Sequence, residues 1–244
     1  MAEFRMKVAG RVACVQSLFE STPQYCRAYW TEEPADFSVA VQRSDLVFEQ
    51  AQLDEEAAQE GFRRRQFTDP FLERTAIQRA FAEHLLLQDT LLLHGSAVAV
   101  DGEGYLFMAR SGTGKSTHTR LWREVFGQRA VMVNDDKPFL HIGAHQITMF
   151  GAPWSGKHGL DSNIAVPLKG ICLLERGEEN SIRPAQAQAL LPFLRHQTYQ
   201  PLTESGAATT ERLLQTLSQR VSLWQMHCNP TLEAAQVAYE AMHK

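Results

Sequence analysis

Residues 105–117 read YLFMARSGTGKST, and this stretch decides the fold of the region around it. Its first five residues are apolar, as in a buried strand, and the loop 110–114 contains two glycines. A helix is predicted from Lys115 to about Phe126. Residues 109–116 fit the phosphate-loop pattern G-x-x-x-x-G-K-[ST], except that Ala109 replaces the first glycine. A strand before the loop and a helix after it are the context that the motif requires, so we predict a phosphate-binding loop.

The predicted loop brings suitable groups to a phosphate chain. Small residues let backbone N–H groups curl around phosphate oxygens, and the new helix adds its positive N-terminal end. Lys115 can reach the β- and γ-phosphates, and the Ser116 hydroxyl can ligate Mg²⁺. The alternative is a helix start that contains Gly-Thr-Gly-Lys by chance. The predicted nucleotide-binding residues are Arg110, Ser111, Gly112, Thr113, Gly114, Lys115, Ser116 and Thr117.

Two adjacent acids follow the next predicted strand, 130–133. Asp135 and Asp136 lie about twenty residues after Lys115. In phosphoryl transfer one carboxylate typically holds Mg²⁺, and another can accept the proton of an attacking hydroxyl. Adjacent residues on an extended strand point in opposite directions, so both acids face one site only if the strand end bends. The metal and base roles stay open between them, and a solvated turn is the alternative.

A histidine reaches the same place if the preceding segment is a hairpin. Residues 91–100 are a strand candidate, 101–104 a turn and 105–109 the second strand. If Val100 faces Tyr105, then His94 lies opposite Ser111, beside the loop. Neutral imidazole is a competent metal ligand, so His94 is predicted to be a metal or phosphate-site residue, with simple packing as the alternative.

The order strand, loop, helix, strand is typical of an α/β nucleotide-binding core. We expect a small β-rich N-terminal region, residues 1–68, before a catalytic domain at 69–244. Asp69 and Pro70 predict the start of a helix that continues to about Gln88. The other predicted strands are 8–15, 37–41, 45–48, 147–150 and 168–174, and the other predicted helices are 185–193 and 231–243.

Composition excludes several classes of protein. The chain has 244 residues and a net charge of −4, so it has no global attraction to nucleic acid or anionic membrane. No apolar run approaches the roughly 18–20 residues that cross a bilayer, and the start lacks the features of a secretory signal. We therefore expect a cytoplasmic protein with no nucleic-acid or membrane partner. The scattered cysteines Cys14, Cys26, Cys172 and Cys228 are expected to be reduced packing residues, with a Cys14–Cys26 bridge as the alternative.

Three blocks together resemble the superfamily of HPr kinase/phosphorylase and ATP-dependent phosphoenolpyruvate carboxykinase. The first, His94-Gly95-Ser96-Ala97, is similar to the carboxykinase His-Cys-Ser-Ala block, whose histidine is a metal ligand. Residues 111–116 match the superfamily loop, and Asn134-Asp135-Asp136 resembles its paired aspartates. A fourth block, residues 151–157, is similar to the carboxykinase Gly-x-x-Trp-x-Gly-Gly loop. The resemblance covers about residues 90–175.

The resemblance implies a mixed-sheet nucleotide-binding core that uses ATP and Mg²⁺, with Mn²⁺ as the alternative ion. The implied reaction transfers the γ-phosphoryl group to a hydroxyl of a small molecule, peptide or protein. The implied metal ligands are Ser116, Asp135, Asp136 and His94, and the implied catalytic residues are Asp135, Asp136, His94 and Lys115.

The acceptor side is predicted from the fourth block. Trp154 and Lys157 are the candidates, because a glycine-flanked loop can close over a site and lysine can bind an anionic group. A surface turn with a packed tryptophan is the alternative. The identity of the acceptor and homo-oligomer formation are left open.

Two other functional classes fit part of the pattern. A non-catalytic nucleotide-binding regulatory protein needs the loop alone, so the presence of His94 and both aspartates favours catalysis. A carboxykinase-type enzyme acts on oxaloacetate, but no substrate apparatus of that enzyme is evident outside the shared blocks.

Overall fold

The computed structural model describes residues 2–59 and 61–244. The chain divides into two compact units, one that ends at His84 and one from Leu85 to Lys244. The domain boundary expected after residue 68 remains a prediction. In the structure, the helix from Asp69 to Leu86 lies in the first unit as far as His84. Glu73 of this helix accepts hydrogen bonds from Leu18 and Thr22 of the same unit.

The first unit combines a small sheet with helices. Its sheet has the order β1-β2-β3, with β1 and β2 antiparallel and β2 and β3 parallel. The single strand predicted over 8–15 is wrong, because Ala9 and Gly10 adopt positive φ angles of 50° and 78° and reverse the chain. The elements are β1 (Ala2–Val8), β2 (Arg11–Ser17), α1 (Ser21–Tyr25), a 3₁₀ turn (Arg27–Tyr29), β3 (Phe37–Ala40), α2 (Arg43–Gln59) and α3 (Asp69–Leu86).

Helix α2 overturns the strand predicted over 45–48. Asp45 and Glu49 are four residues apart, which places both carboxylates on one helix face. Arg79 of α3 meets both, with N–O distances of 3.2 Å to Asp45 and 2.6 Å to Glu49. The ion pairs between α2 and α3 therefore outweigh the short apolar alternation at residues 45–48. With these helices, the first unit is not predominantly β.

The second unit contains a mixed sheet and four α-helices. The strands are β4 (Thr90–Leu92), β5 (Ser96–Val100), β6 (Glu103–Met108), β7 (Ala130–Asn134), β8 (Phe139–Ile142), β9 (Ile147–Phe150), β10 (Ala165–Arg176), β11 (Ser181–Pro184) and β12 (Ser222–Cys228). The helices are α4 (Lys115–Phe126), α5 (Ala187–His196), α6 (Glu204–Arg220) and α7 (Leu232–Met242), with 3₁₀ turns at Gly127–Arg129 and Gly156–His158.

The strand order brings several chain segments to one edge of the sheet. The order is β4-β8-β9-β10-β6-β5-β7, with β12 beside β10 and β11 beside β12. Strand β5 is antiparallel to both β6 and β7, so β6 and β7 run in the same direction on either side of it. The ends of β6 and β7 and the beginning of β5 therefore lie at the same edge.

Both faces of the central sheet are apolar, which explains the continuous hydrophobic run before the loop. Tyr105 and Phe107 face α4 and α7, where Trp122 is fully buried. Leu106 and Met108 point to the opposite face and pack in the cluster that includes residues of α5 and α6. Period-two alternation thus distributes β6 between two cores.

The hairpin before the loop differs from the predicted one. Strand β4 ends at Leu92, and strand β5 begins only at Ser96. Between them, the backbone N–H of His94 donates to the Gln197 carbonyl instead of to a neighbouring strand. The predicted pairing of Val100 with Tyr105 is also wrong: Val98 faces Tyr105, and Val100 faces Glu103. The reason is a two-residue turn, since residues 101 and 102 have φ angles of 52° and 83°, as a tight hairpin requires.

The buried His118 predicts a pH-dependent stability. Its Nε2 accepts a hydrogen bond of 3.0 Å from Trp122, and burial lowers its pKa from 6.5 to about 4. As the pH falls from about 6.5 to about 4, the unfolded chain takes up a proton that the folded state refuses. This group therefore removes about 2 kcal/mol of unfolding free energy between about pH 7 and about pH 5.

The measurement is urea unfolding of the wild type and His118→Gln at both pH values. The glutamine oxygen can accept the same Trp122 bond, but the side chain does not titrate. We expect the variant to lose less stability on acidification than the wild type. The same pH dependence in both proteins would contradict a neutral, buried His118.

Candidate active site

The predicted phosphate loop joins β6 to α4 with the conformation that its glycines allow. Gly112 and Gly114 have φ angles of 74° and 123°, which disfavour any residue with a Cβ. The Lys115 ammonium turns back over the loop and donates to the Ala109 carbonyl at 3.2 Å. Ala109 itself has no left-handed φ and is fully buried, so the backbone does not require glycine at this first position.

The tip of the loop is held by the neighbouring strand. Arg176, the last residue of β10, donates from its guanidinium to the Gly112 carbonyl at 2.6 Å. Strand β10 runs parallel to β6, so its C-terminal end comes to the same sheet edge as the loop. The sequence gives no local signal for this contact, because the two residues are far apart in the chain.

Asn134 shapes the turn that carries the two aspartates. It is fully buried, and its amide donates to the carbonyls of Ala152 and Trp154 at 2.7 and 3.3 Å. Its side-chain oxygen accepts the backbone N–H groups of Asp136 and Lys137 at 2.8 and 2.6 Å. These four bonds bend the chain after β7, and the joint use of both acids at one site stays a prediction.

Asp135 points into the protein. Only 8% of this residue is exposed, and Oδ1 accepts a hydrogen bond of 2.6 Å from Ser96 Oγ. Ser96 Oγ also lies 2.8 Å from Thr119 Oγ1 on α4. Asp135 is therefore tied through two hydroxyls to helix α4.

Asp136 lies beside His94, with 3.3 Å between Oδ1 and Nε2. Burial raises the pKa of Asp136, and Lys137 and Lys115 oppose this shift. Burial, Lys137 and Lys115 together hold the pKa of His94 far below its ordinary value, so the ring is neutral at pH 7. The backbone also joins these segments, since Gly95 N–H donates to the Asp136 carbonyl at 2.9 Å.

The two acceptor-side candidates have different environments. Trp154 is 6% exposed, and its ring lies 6.3 Å from that of Phe139, so the indole packs in the interior. Lys157 is exposed in the 3₁₀ turn after it. The adjacent Gly156 approaches Asp136, because a Cβ on Gly156 would stand 3.2 Å from the Asp136 Cβ. The loop thus reaches Asp136, while roles for Trp154 and Lys157 in acceptor binding stay predictions.

The structure assembles most of the predicted residues at one edge and adds others. The loop residues 110–117, His94 and both aspartates come from three neighbouring segments of the sheet edge. Sequence reasoning assigned no site role to Ser96, Thr119, Asn134, Lys137 or Arg176. Ser96 and Asn134 stand inside motifs that were recognised, whereas Thr119 and Arg176 follow no motif and are found only by their contacts.

The donors fit a hard divalent cation completed by a substrate. Among the described residues, no three His, Cys, Asp or Glu side chains form a ready cluster. Mg²⁺ is usually held by one or two carboxylates together with substrate phosphates and water, rather than by an all-protein cage. Asp135 and Asp136 with the Ser116 hydroxyl match that donor set, and carboxylate oxygens suit Mn²⁺ as well.

The chain is similar to solved structures, but its sequence matches no protein-family model and no curated protein. Among solved structures it is similar to the Hpr(Ser) kinase/phosphatase from Coxiella burnetii, with a TM-score of 0.34 and 11% identity over 62% of this chain and 89% of that chain. A similarity this distant assigns no reaction. Within the described ranges, every helix is too short or too polar to span a lipid bilayer.

Replacement of Asn134 by alanine tests the turn. The variant removes all four hydrogen bonds of the buried Asn134 side chain. Two backbone carbonyls, of Ala152 and Trp154, and two backbone N–H groups, of Asp136 and Lys137, lose that partner. Each unsatisfied group costs roughly 1–3 kcal/mol, so we expect a loss of about 3 kcal/mol or more in the unfolding free energy. Urea denaturation measures it.

The control for this measurement is Gln215→Ala. Gln215 is exposed and makes one surface hydrogen bond of 3.1 Å to Glu211. Its loss should change the unfolding free energy by no more than about 0.5 kcal/mol. An Asn134→Ala protein as stable as this control would contradict the bond set described above.

Proposed function

We propose that the second unit is an ATP-dependent kinase that transfers the γ-phosphoryl group to a hydroxyl of a small molecule, peptide or protein. The observation that carries the proposal is the meeting of a phosphate-type loop with two aspartates at one sheet edge. A loop alone would serve nucleotide binding. Acids bent toward the same edge supply what phosphoryl transfer needs in addition, namely metal ligation and a proton acceptor.

The phosphate chain is bound by the loop and the start of α4. Backbone N–H groups of residues 110–115 and the helix N-terminus attract the phosphate oxygens. Lys115 supplies a point charge for the β- and γ-phosphates, and its bond to the Ala109 carbonyl is exchanged for one to phosphate. Arg110 is exposed beside the loop and adds a second cation.

The environments of the two acids favour different roles. Asp135 is nearly buried and tied to α4, the helix that also carries Ser116, so we assign Asp135 and Ser116 to Mg²⁺. Asp136 has a side chain that is 31% exposed, so an acceptor hydroxyl can reach it. When bound, the cation would neutralise the developing charge on the phosphates. Neutral His94 orients the Asp136 carboxylate.

In the transfer step, groups of this chain act on the acceptor and on ATP. Asp136 accepts the proton of the acceptor hydroxyl, and the hydroxyl oxygen bonds to the γ-phosphorus. The bond between that phosphorus and the β–γ bridging oxygen breaks, and ADP leaves. Lys115 and the loop amides stabilise the charge on the phosphate oxygens during the step.

The proposal is tested by measuring transfer of the labelled phosphoryl group from γ-³²P-ATP. The protein is incubated with labelled ATP, Mg²⁺ and a cell extract that has been separated by size into small molecules and proteins. We expect label to appear in a new phosphoester in one of the two fractions. ATP binding without transfer to either fraction would favour a nucleotide-binding regulatory protein and overturn the kinase.

Replacement of Lys115 by alanine should abolish ATP turnover, because the γ-phosphate loses its cation. Steady-state ADP release measures turnover, and far-UV circular dichroism confirms folding. Lys169→Ala is the matched control, since Lys169 pairs with Glu103 at the beginning of β6, away from the loop end of that strand. Full turnover in a folded Lys115→Ala protein would count against the phosphate loop.

Substitution of the two aspartates should affect ATP binding and the transfer rate differently. We expect Asp136→Asn to lower the transfer rate by about 10²–10⁴-fold, the usual contribution of a general base, with ATP affinity unchanged. Asp135→Asn should weaken Mg²⁺-dependent ATP binding as well as transfer. Calorimetric titration with ATP and a single-turnover assay give the two quantities. If neither variant slows transfer, the carboxylate roles are wrong.

A further inference from the structure

We infer that Ser96 and Thr119 are positioning residues that lock the Asp135 carboxylate to the phosphate-loop helix and so set the affinity of the site for its divalent cation. This inference rests on the proposed function. Neither residue belongs to the phosphate-loop pattern. Thr119 contacts the start of α4 through the carbonyls of Lys115 and Ser116.

The side chains of Thr119, Ser96 and Asp135 form a buried chain of hydrogen bonds. Ser96 is fully buried, Thr119 is 1% exposed, and Asp135 is 8% exposed. Ser96 Oγ lies 2.6 Å from Asp135 Oδ1 and 2.8 Å from Thr119 Oγ1. Thr119 Oγ1 also lies 3.4 and 3.3 Å from the carbonyls of Lys115 and Ser116.

The number of hydroxyl protons fixes the direction of these bonds. Ser96 donates its single hydroxyl proton to Asp135 Oδ1. In the contact between Ser96 and Thr119, the donor must then be Thr119. This agrees with the distances, because the alternative acceptors of the Thr119 proton, two helix carbonyls, lie about half an ångström farther away than Ser96.

The chain of hydrogen bonds links two parts of the proposed metal site. Thr119 lies one helical turn after Lys115 and on the same helix as Ser116, while Asp135 arrives from β7. Ser96, at the beginning of β5, stands between them. The bonds therefore hold the Asp135 carboxylate at a fixed rotation relative to the helix that presents Ser116.

One oxygen of Asp135 remains for a cation. Oδ1 accepts the hydrogen bond from Ser96, so Oδ2 is the oxygen that we assign to the cation. Partners of a metal-ligating carboxylate usually matter by about 10–100-fold in metal affinity. Loss of Ser96 would free the carboxylate to rotate, whereas loss of Thr119 would only remove the support of Ser96.

The experiment measures metal binding without an acceptor. Mn²⁺ is titrated into the protein–ATP complex and followed by electron paramagnetic resonance, and the Mg²⁺ concentration at half-maximal ATP binding is measured by calorimetry. The variants are Ser96→Ala, Thr119→Val, which keeps the shape but lacks the hydroxyl, Thr119→Ser, which keeps the hydroxyl, and the double variant Ser96→Ala/Thr119→Val.

We expect Ser96→Ala to weaken metal binding by about tenfold or more, with metal-free ATP affinity unchanged. Thr119→Val should act in the same direction by a smaller factor, and Thr119→Ser should behave as the wild type. Because Thr119 acts through Ser96, the double variant should be no weaker than Ser96→Ala alone.

Unchanged metal affinity in folded Ser96→Ala protein would overturn the inference, and so would additive losses in the double variant. Either result leaves the proposed kinase intact if the wild type still binds Mg²⁺ with ATP and transfers phosphoryl. Absence of metal-dependent ATP binding in the wild type would instead overturn the proposed function, and the inference with it.

Discussion

The site depends on the direction of three adjacent strands. Strand β5 runs antiparallel between β6 and β7, so the ends of β6 and β7 and the start of β5 share one edge of the sheet. The predicted phosphate loop follows β6, and the two aspartates follow β7. His94 precedes β5, and Ser96 is its first residue. If β7 ran the other way, the acids would lie at the opposite edge, a strand length from the loop.

Buried polar bonds convert this topology into a defined geometry. Asn134 bends the chain after β7, and Ser96 ties Asp135 to the hydroxyl of Thr119. A buried polar group without its partner is costly, so these bonds leave few other arrangements for the carboxylates. Asp136 remains at the accessible side, next to a neutral His94. The edge therefore offers one enclosed acid and one reachable acid.

Local patterns predicted the loop, helix α4 and strand β7, because a glycine-containing turn between a strand and a helix is a short-range signal. The same patterns failed where distant contacts decide. Arg79 stabilises α2, which sequence alternation had indicated as a strand, and the two-residue turn at 101–102 shifted the hairpin register. The residues that orient the acids were missed for the same reason, since a hydroxyl such as that of Thr119 gains its role only from its neighbours in space.

A crystal structure with a non-hydrolysable ATP analogue and Mg²⁺ tests the central claim most directly. The account predicts β- and γ-phosphate oxygens within hydrogen-bond distance of the loop amides between residues 110 and 115, with the Lys115 ammonium moved from the Ala109 carbonyl onto them. A nucleotide bound elsewhere on the protein, with the loop closed on itself as it is here, would contradict the account.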